Sequence, residues 1–238
     1  MVVLGIIPAR SGSKRIKDKN IKLLHEKPLM QYSIETAAKS SSLDRFIVST
    51  NSKEYSSLAR SWGAEVPFIR PEEISGDKIP DKPVLQHALN WFGEKENYYP
   101  DAVAILRPTT PFRSVDLINK VVQKFIDDKP DSIRTATKVE GVHHPYWMYS
   151  IDKSGKAKPL DAKKNADNYY QSQMLPPFYR LNGVMDIISS DTILNPSEPL
   201  YGKTMHLFAT DPLISLDIDT EFDFLICESL LKNRKINL

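Results

Sequence analysis

Apolar runs and helical patterns alternate through the first half of the chain. The short apolar runs are typical of strands that are covered on both faces, and they span 2–8, 45–50, 65–69 and 102–106. The segments with apolar residues at helical spacing lie between and after these runs, at 28–39, 53–62, 82–92 and 115–126. Repeated strand–helix–strand units predict an α/β fold: a doubly wound, mostly parallel sheet with helices on both faces.

The pattern changes after about residue 140. The segment 141–180 combines two histidines with a polar, lysine-rich middle and several aromatic residues. These aromatics are Tyr146, Trp147, Tyr149, Tyr169 and Tyr170. They favour an inserted β-rich arm or lid over the alternative, a flexible linker. Strand-like runs resume at 183–188 and 205–209, and a last helix is predicted at 221–232. The chain 1–238 is therefore predicted to be one domain with an inserted arm.

Composition excludes several classes of protein. The hydrophobic fraction of 41% and the charged fraction of 26% are ordinary for a globular domain. The chain has no apolar run of about 18 residues, so we expect no membrane span. Its apolar start has no basic leader and is predicted to be a buried strand rather than a signal peptide. The single cysteine, Cys227, is predicted to fill the core and suits a reducing cytoplasm. A net charge of +2 gives no field that would recruit nucleic acid.

A cationic loop follows the first predicted strand. Residues 8–20 read PARSGSKRIKDKN, in which Gly12 and the small Ser11 let the backbone approach an anion. Arg10, Lys14 and Lys19 would neutralise the charge of that anion. The loop matches neither the P-loop pattern nor the dinucleotide glycine pattern. It indicates a phosphate-binding loop, and a basic surface loop is the alternative.

Position in the fold adds a second reason to expect a site here. In open α/β sheets, ligands bind at the carboxyl ends of the strands, near a point where the strand order reverses. Arg10, Thr50 and Arg107 each follow a predicted strand. We therefore expect them along one edge of the sheet, although they are distant in sequence.

Two carboxylates near the other end of the chain are spaced to share a cation. In an extended segment Asp217 and Asp219 point to the same face and would repel each other unless a cation lies between them. Mg²⁺ typically takes one or two protein carboxylates together with phosphate oxygens. The alternative is that either aspartate caps the helix that begins near Thr220. His143 and His144 have no acidic or cysteine partner at ligand spacing, so we expect structural roles for them.

The loop resembles the N-terminal signature of the sugar-activating cytidylyltransferases. Four further segments resemble the acylneuraminate branch of that family, the CMP-sialate or nonulosonate synthetases, and they occur in the same order. These segments are 48–54 (VSTNSKE), 70–78 (RPEEISGDK), 106–113 (LRPTTPFR) and 215–224 (SLDIDTEFDF). With the loop they are spread from 8 to 224, so the resemblance extends over nearly the whole chain, and five ordered matches by chance are very improbable.

The resemblance implies a fold, a reaction and a set of residues. The implied fold is the Rossmann-type sheet of nucleotide-diphospho-sugar transferases, with an arm that forms a homodimer. The implied reaction is Mg²⁺-dependent transfer of CMP from CTP to the anomeric hydroxyl of an acidic 2-keto sugar, with release of pyrophosphate. The implied catalytic residues are Arg10, Lys19, Asp217 and Asp219, the last two as metal ligands. The implied nucleotide-binding residues are Arg10, Ser11, Gly12, Lys14, Lys19, Asn20, Arg70 and Ile79.

Base recognition is expected from two of these residues. Arg70 and the backbone near Ile79 would read the cytosine edge, and Asn20 would contact the ribose region. A pocket that pairs with the exocyclic amine and the neighbouring ring acceptor rejects uracil, because uracil would leave buried partners unpaired. The alternative for Arg70 is a surface ion pair with Glu72 or Glu73.

The sugar-binding side departs from the family pattern. Arg107 stands where relatives usually carry Gln, Asp186 where an aromatic is usual, and Trp147 where a basic residue is expected. Arg180 and Asn182 match the R-x-N-G pattern and complete the implied substrate-binding set with Arg107. We expect Arg107 to grip the acceptor carboxylate through two hydrogen bonds. These departures favour a bacterial acceptor such as legionaminic or pseudaminic acid, or another modified ulosonate, over plain N-acetylneuraminate.

Other functions are compatible with parts of this pattern. A nucleotidyltransferase of the same fold could use another nucleotide or a sugar 1-phosphate acceptor. A non-catalytic nucleotide-binding module is disfavoured by the aspartate pair, and a dinucleotide oxidoreductase by the lack of its glycine pattern.

Overall fold

The computed structural model describes residues 1–233 and 235 of the chain. The strands are β1 (Val3–Pro8), β2 (Leu23–Leu24), β3 (Lys27–Pro28), β4 (Arg45–Ser49), β5 (Ala102–Ile105), β6 (Ser132–Lys138), β7 (Tyr149–Ile151), β8 (Ala157–Pro159), β9 (Tyr179–Ser189) and β10 (Met205–Ala209). The α-helices are α1 (Leu29–Ala38), α2 (Lys53–Ser61), α3 (Asp81–Glu96), α4 (Val115–Asp128), α5 (Ser190–Leu194) and α6 (Glu221–Lys232).

Six strands form the central sheet in the order β10-β6-β9-β5-β1-β4. β1 pairs in parallel with β4 and β5, and β10 pairs in parallel with β6. β9 lies antiparallel between β5 and β6. The prediction of a mostly parallel sheet is confirmed, with one interior strand reversed.

One predicted strand does not form. In the segment 65–69 only Glu65 pairs, in an isolated bridge to Ile47 of β4. Pro67 has no backbone N–H to donate to a ladder, and it stands in the middle of this segment. The apolar side chains Val66 and Phe68 are nevertheless buried, which explains the strand-like pattern.

Helices cover both faces of the sheet, as the doubly wound prediction requires. Successive residues of β1 point to opposite faces, so Val3 and Ile7 join one buried cluster while Leu4 and Ile6 join another. The first cluster includes the apolar sides of α1, α2 and α4, and the second those of α3 and α5. Burial on both faces is the reason that β1 reads as a continuous apolar run.

A third buried cluster joins the two ends of the chain. It packs Ile16, from the cationic loop, with Ile218, Phe224 and Cys227, and it also includes Phe112. The prediction that Cys227 fills the core is confirmed, and burial raises the pKa of its thiol to about 12. The cluster fixes the cationic loop next to the segment that carries Asp217 and Asp219.

The inserted arm contains less β structure than predicted. Its strands are β7 and β8, which form one short antiparallel hairpin, and the rest of 141–178 is 3-10 turns and loops. His144 is fully buried and joins the two ends of the arm. Its Nε2 lies 3.0 Å from the carbonyl oxygen of Pro176, and its ring packs against Tyr146 and Phe178. The structural role expected for His144 is confirmed.

Within residues 1–233 and 235, no helix is both long and apolar enough to cross a membrane.

Candidate active site

A cleft of about 550 Å³ opens at the carboxyl ends of β1 and β5. Arg10 follows β1 and Arg107 follows β5, and both line this cleft. Asp219 lines it as well, although it lies at the other end of the chain. Thr50 is buried behind the cleft, where its carbonyl accepts the backbone N–H of Arg70 at 2.7 Å. The structure therefore brings the cationic loop and an acidic residue of the 217–219 segment into one cavity.

Local hydrogen bonds hold the cationic loop in shape. Gly12 has a φ of +78°, a left-handed backbone conformation that favours glycine. The backbone N–H of Ser11 donates to Oδ1 of Asn51 at 2.9 Å. The amide of Asn20 donates to the carbonyl oxygen of Arg10, also at 2.9 Å. Asn20 is buried, so its amide holds the backbone of the loop from the protein interior.

Asp77 neutralises two of the cations that the sequence assigns to phosphate. Its carboxylate forms ion pairs with Arg10 and with Lys14, the latter at 2.6 Å. The hydrogen bond from Lys14 and the charge of Arg10 lower the pKa of Asp77, so it is ionised at neutral pH. Asp77 lines the cleft and occupies the place on these cations that a phosphate oxygen could take.

Lys19 connects the loop to the acidic segment. Its Nζ donates to the carbonyl oxygen of Ile218 at 2.7 Å and to Oδ1 of Asp219 at 3.2 Å. Arg15 lies 3.4 Å from the other carboxylate oxygen of Asp219. From the opposite side, the N–H of Ile218 donates to the carbonyl oxygen of Thr109 at 2.8 Å. The acidic segment is thus fixed between the loop after β1 and the loop after β5.

The aspartate pair does not cap the following helix. Thr220 caps α6, and its hydroxyl accepts the N–H of Asp223. Asp223 in turn accepts the N–H of Thr220 at 2.7 Å, which completes a capping box. Asp217 and Asp219 are therefore available for another role, and the capping alternative is wrong.

Asp217 and Asp219 offer oxygen ligands suited to a hard cation. Asp217 is exposed and lies outside the residues that line the cleft, but partial desolvation of its carboxylate and the negative charge of Asp219 raise its pKa. A cation between the carboxylates would relieve that repulsion. Among the described residues, no group of three or more His, Cys, Asp or Glu side chains is placed to hold a metal. A metal held by this pair needs further oxygens from outside the chain, as Mg²⁺ obtains from phosphates.

Arg70 has an unsatisfied donor at the cleft. The residue is only 4% exposed, and its Nε donates to Oγ of Ser75 at 3.2 Å. Its Nη2 is buried and has no hydrogen-bond partner among the described residues. Burial and the charge of Arg10 lower its pKa to about 10, which leaves it protonated at neutral pH. The alternative of a surface ion pair with Glu72 or Glu73 is wrong, and Ile79 lines the same cavity.

Arg107 is held between two carboxylates. Its Nη1 donates to Asp186 at 2.8 Å and its Nη2 to Asp81 at 2.6 Å. The two negative charges raise its pKa above the ordinary value for arginine. The expected grip on a substrate carboxylate would therefore have to replace one of these partners.

The other two residues expected to contact substrate lie elsewhere. Asn182 is buried between strands, where its Oδ1 accepts the hydroxyl of Thr135 at 2.7 Å. Its amide nitrogen lies within hydrogen-bond distance of the hydroxyls of Thr137, Thr210 and Ser215. These contacts bury Asn182 outside the residues that line the cleft, and its expected contact with substrate stays a prediction. Arg180 is exposed at the start of β9, outside the residues that line the cleft.

The family model described as "Cytidylyltransferase" matches residues 4–236. The chain belongs to this cytidylyltransferase family. It is 30% identical over 245 residues to the CMP-N,N'-diacetyllegionaminic acid synthase of Legionella pneumophila, covering 98% of this chain and 97% of that protein. It is 31% identical over 249 residues to the N-acylneuraminate cytidylyltransferase of Escherichia coli, covering 99% of this chain and 54% of that protein.

Solved structures confirm the fold of this cytidylyltransferase. CMP:2-keto-3-deoxy-manno-octonic acid synthetase, solved in complex with CTP, superposes with a TM-score of 0.73. The match covers 98% of this chain and 100% of that one at 15% identity. This likeness supports the Rossmann-type architecture expected from the motifs.

Several residues that line or support the cleft were not predicted from the sequence. Asn51, Asp77 and Asp81 all lie in or next to the matched motifs, but their partners are distant in sequence. Arg113 is fully buried, and its Nη2 donates a hydrogen bond to the carbonyl oxygen of Arg107 at 2.9 Å. Its Nε donates to the carbonyl oxygen of Val184 at 2.6 Å, so Arg113 connects the loop after β5 to β9. The available signal was its place at the end of the matched segment LRPTTPFR.

Proposed function

We propose that this protein transfers CMP from CTP to the anomeric hydroxyl of an acidic 2-keto sugar of the nonulosonate class and releases pyrophosphate. One observation carries the proposal: the cationic loop, Asp219 and Arg70, whose buried Nη2 has no partner among the described residues, line the same cavity. The cationic loop is suited to bind a triphosphate, Asp219 a metal ion and Arg70 a base. Family membership and the names of the relatives support this reaction class.

In this proposal Arg70 selects the base. Its buried Nη2 requires an acceptor, and the ring acceptors of cytosine supply one. The backbone near Ile79 would pair with the exocyclic amine of the same base. A buried donor left without its partner is costly, and this cost provides the discrimination between bases.

The triphosphate would replace Asp77 on the cations. Arg10 and Lys14 now pair with that carboxylate, and Lys19 lies beside Asp219. A triphosphate carries more negative charge than one aspartate, so it can displace Asp77 from both partners. These cations would then stabilise the charge that develops on the departing pyrophosphate.

Asp217 and Asp219 would hold Mg²⁺, to which the phosphates would contribute the remaining oxygens. When bound, the metal would lower the pKa of the attacking hydroxyl and polarise the α-phosphate. The chain itself would position the groups: Lys19 and Thr109 fix the 217–219 segment from its two sides. The sole thiol, Cys227, is buried away from the cleft, which favours direct displacement over a covalent intermediate.

We also propose a cytoplasmic homodimer formed through the arm. The arm exposes large apolar side chains, including Val142, Ile151, Leu160 and Tyr170. Exposed apolar groups of this kind are suited to a protein interface. The free, buried Cys227 suits a reducing compartment.

Pyrophosphate release from each of the four nucleoside triphosphates, with a panel of acceptors, tests the reaction. The panel should contain N-acetylneuraminic, legionaminic and pseudaminic acids, an eight-carbon ulosonate and a sugar 1-phosphate. We expect turnover with CTP, Mg²⁺ and a nonulosonate. Turnover only with another nucleotide or with the sugar phosphate would support the same-fold alternative, and CTP binding without any turnover would support a binding module.

Replacing Arg70 with Gln should raise the KM for CTP by about a hundredfold, because a charged donor to the base is lost. The ratio of kcat/KM for CTP over UTP should fall in the same variant. Steady-state kinetics with both nucleotides measure both effects. Arg60→Gln is a suitable control, because Arg60 donates to the carbonyl oxygen of Val66 outside the cleft. An unchanged CTP/UTP ratio in Arg70→Gln would contradict base selection by Arg70.

A further inference from the structure

The two carboxylates that pair with Arg107 have different surroundings. Asp186 is fully buried and accepts hydrogen bonds from Arg107 at 2.8 Å, Arg134 at 3.2 Å and the hydroxyl of Tyr201 at 3.2 Å. Asp81 lies in the first turn of α3, where its side chain is 34% exposed and lines the cleft. Within the described part of the chain, its carboxylate accepts one side-chain hydrogen bond, from Arg107. Asp186 is therefore held by three donors inside the protein, whereas Asp81 is held by one donor at the cleft.

The charges of this cluster leave one position for an exchangeable anion. Two guanidinium groups, Arg107 and Arg134, face the single buried carboxylate of Asp186, and the buried Arg113 adds a third positive charge beside them. Asp81 balances one of the two positive charges in excess. Another carboxylate on the Nη2 side of Arg107 would keep the same balance and the same hydrogen-bond geometry.

Displacement of Asp81 from Arg107 would not leave its negative charge without stabilisation. Its carboxylate is partly exposed, so it can turn towards water. It also stays in the first turn of α3, a helix of 16 residues, where the free N–H groups and the helix dipole stabilise a negative charge. The cost of releasing it from Arg107 is therefore small.

We propose that Asp81 is an internal competitor: it occupies the carboxylate position on Arg107, and the carboxylate of the acceptor sugar displaces it. This inference rests on the proposed function, because it names the group of the acceptor that Arg107 binds. Asp186 then has a positioning role, since it fixes the guanidinium so that Nη2 faces the cleft. Asp81 makes the acceptor site weaker than Arg107 alone would make it.

Replacing Asp81 with Asn tests the competition. The acceptor KM should fall about fivefold, because a partly exposed ion pair is worth about 1 kcal/mol. The KM for CTP should stay within about twofold of wild type. Asp116→Asn is the matched control, since Asp116 lies in the first turn of α4 and its side chain is 70% exposed. This control should change neither KM.

A double-mutant cycle with Arg107→Ala separates competition from a structural role. Arg107→Ala alone should raise the acceptor KM about tenfold or more, as expected for loss of a charged hydrogen bond. In that background Asp81→Asn should no longer lower the acceptor KM, because there is no cation left to compete for. If Asp81→Asn folds poorly, Asp81→Ser retains a polar helix start without the charge and serves as the second variant.

The other outcomes overturn the inference. A higher acceptor KM in Asp81→Asn would mean that Asp81 itself contacts the acceptor, and a higher CTP KM would place it in the nucleotide site. An unchanged acceptor KM would show that there is no competition. If wild type turns over no ulosonate, the proposed function fails separately. Calorimetric titration of wild type and Asp81→Asn with legionaminic and pseudaminic acids then decides: tighter binding to the variant supports the exchange, and equal binding refutes it.

Discussion

Replacing Asp219 with Asn is expected to lower kcat/KM for CMP transfer by about 10² to 10³, the usual cost of one electrostatic catalytic group. Asp219 lines the cleft, and the capping box of Thr220 and Asp223 means that it does not cap α6. A neutral amide is a poor ligand for Mg²⁺ beside a single remaining carboxylate. The activity that remains should require a higher Mg²⁺ concentration, which a metal titration of pyrophosphate release measures.

Glu221→Gln is the matched control for this prediction. Glu221 lies two residues further along the chain, is exposed and pairs with Lys22 at 2.6 Å. Losing this carboxylate should change kcat/KM by less than about twofold, as for an ordinary surface ion pair. Activity of Asp219→Asn within about tenfold of wild type, at unchanged Mg²⁺ demand, would exclude Asp219 from the metal site.

Replacing Asp186 with Ala should lower the free energy of unfolding by about 3 kcal/mol, because removing one partner of a buried ion pair leaves charge unpaired. Asp186 is fully buried and is the shared partner of Arg107 and Arg134. Arg107 keeps Asp81, whereas Arg134 keeps its stacking over the ring of Tyr201. Urea denaturation of wild type and variant measures the difference.

A surface aspartate sets the baseline for that measurement. Asp116 pairs with Lys120 one helical turn away in α4, and Asp116→Ala should cost about 0.5 kcal/mol or less. Asp186→Asn retains hydrogen-bonding capacity without the charge and should lie between the two. A loss below about 1 kcal/mol in Asp186→Ala would show that the buried pairing contributes little to stability.

The fold could be predicted where burial alone determines the pattern. β1 and β5 are covered on both faces, so their apolar runs identified them directly. The segment 65–69 buries its side chains without pairing its backbone, and the sequence pattern does not separate these two situations. The antiparallel position of β9 between β5 and β6 depends on pairing with strands distant in sequence, which no local pattern encodes.

The candidate site was predicted in its chemistry but not in its internal pairings. The cationic loop and Asp219 line the same cleft. This could be predicted because both lie in motifs that resemble those of the family. Asp77 and Asp81 pair with the cations of the cleft. No sequence motif indicates these pairings, because an ion pair between distant residues depends on the folded geometry. Asn182 lay in a matched motif yet points into a buried hydroxyl network. A motif conveys where a residue lies more reliably than which way its side chain faces.

The hydrophobic cluster that packs Ile16 with Ile218 and Phe224 has a consequence for biosynthesis. A ribosome delivers the cationic loop first and the acidic segment some 200 residues later, as the 199-residue separation of Lys19 from Ile218 shows. A nascent chain whose C-terminal part is still inside the ribosome would carry the cationic loop without its opposing acids. Nucleotide-dependent chemistry would therefore begin only after the last helix has docked.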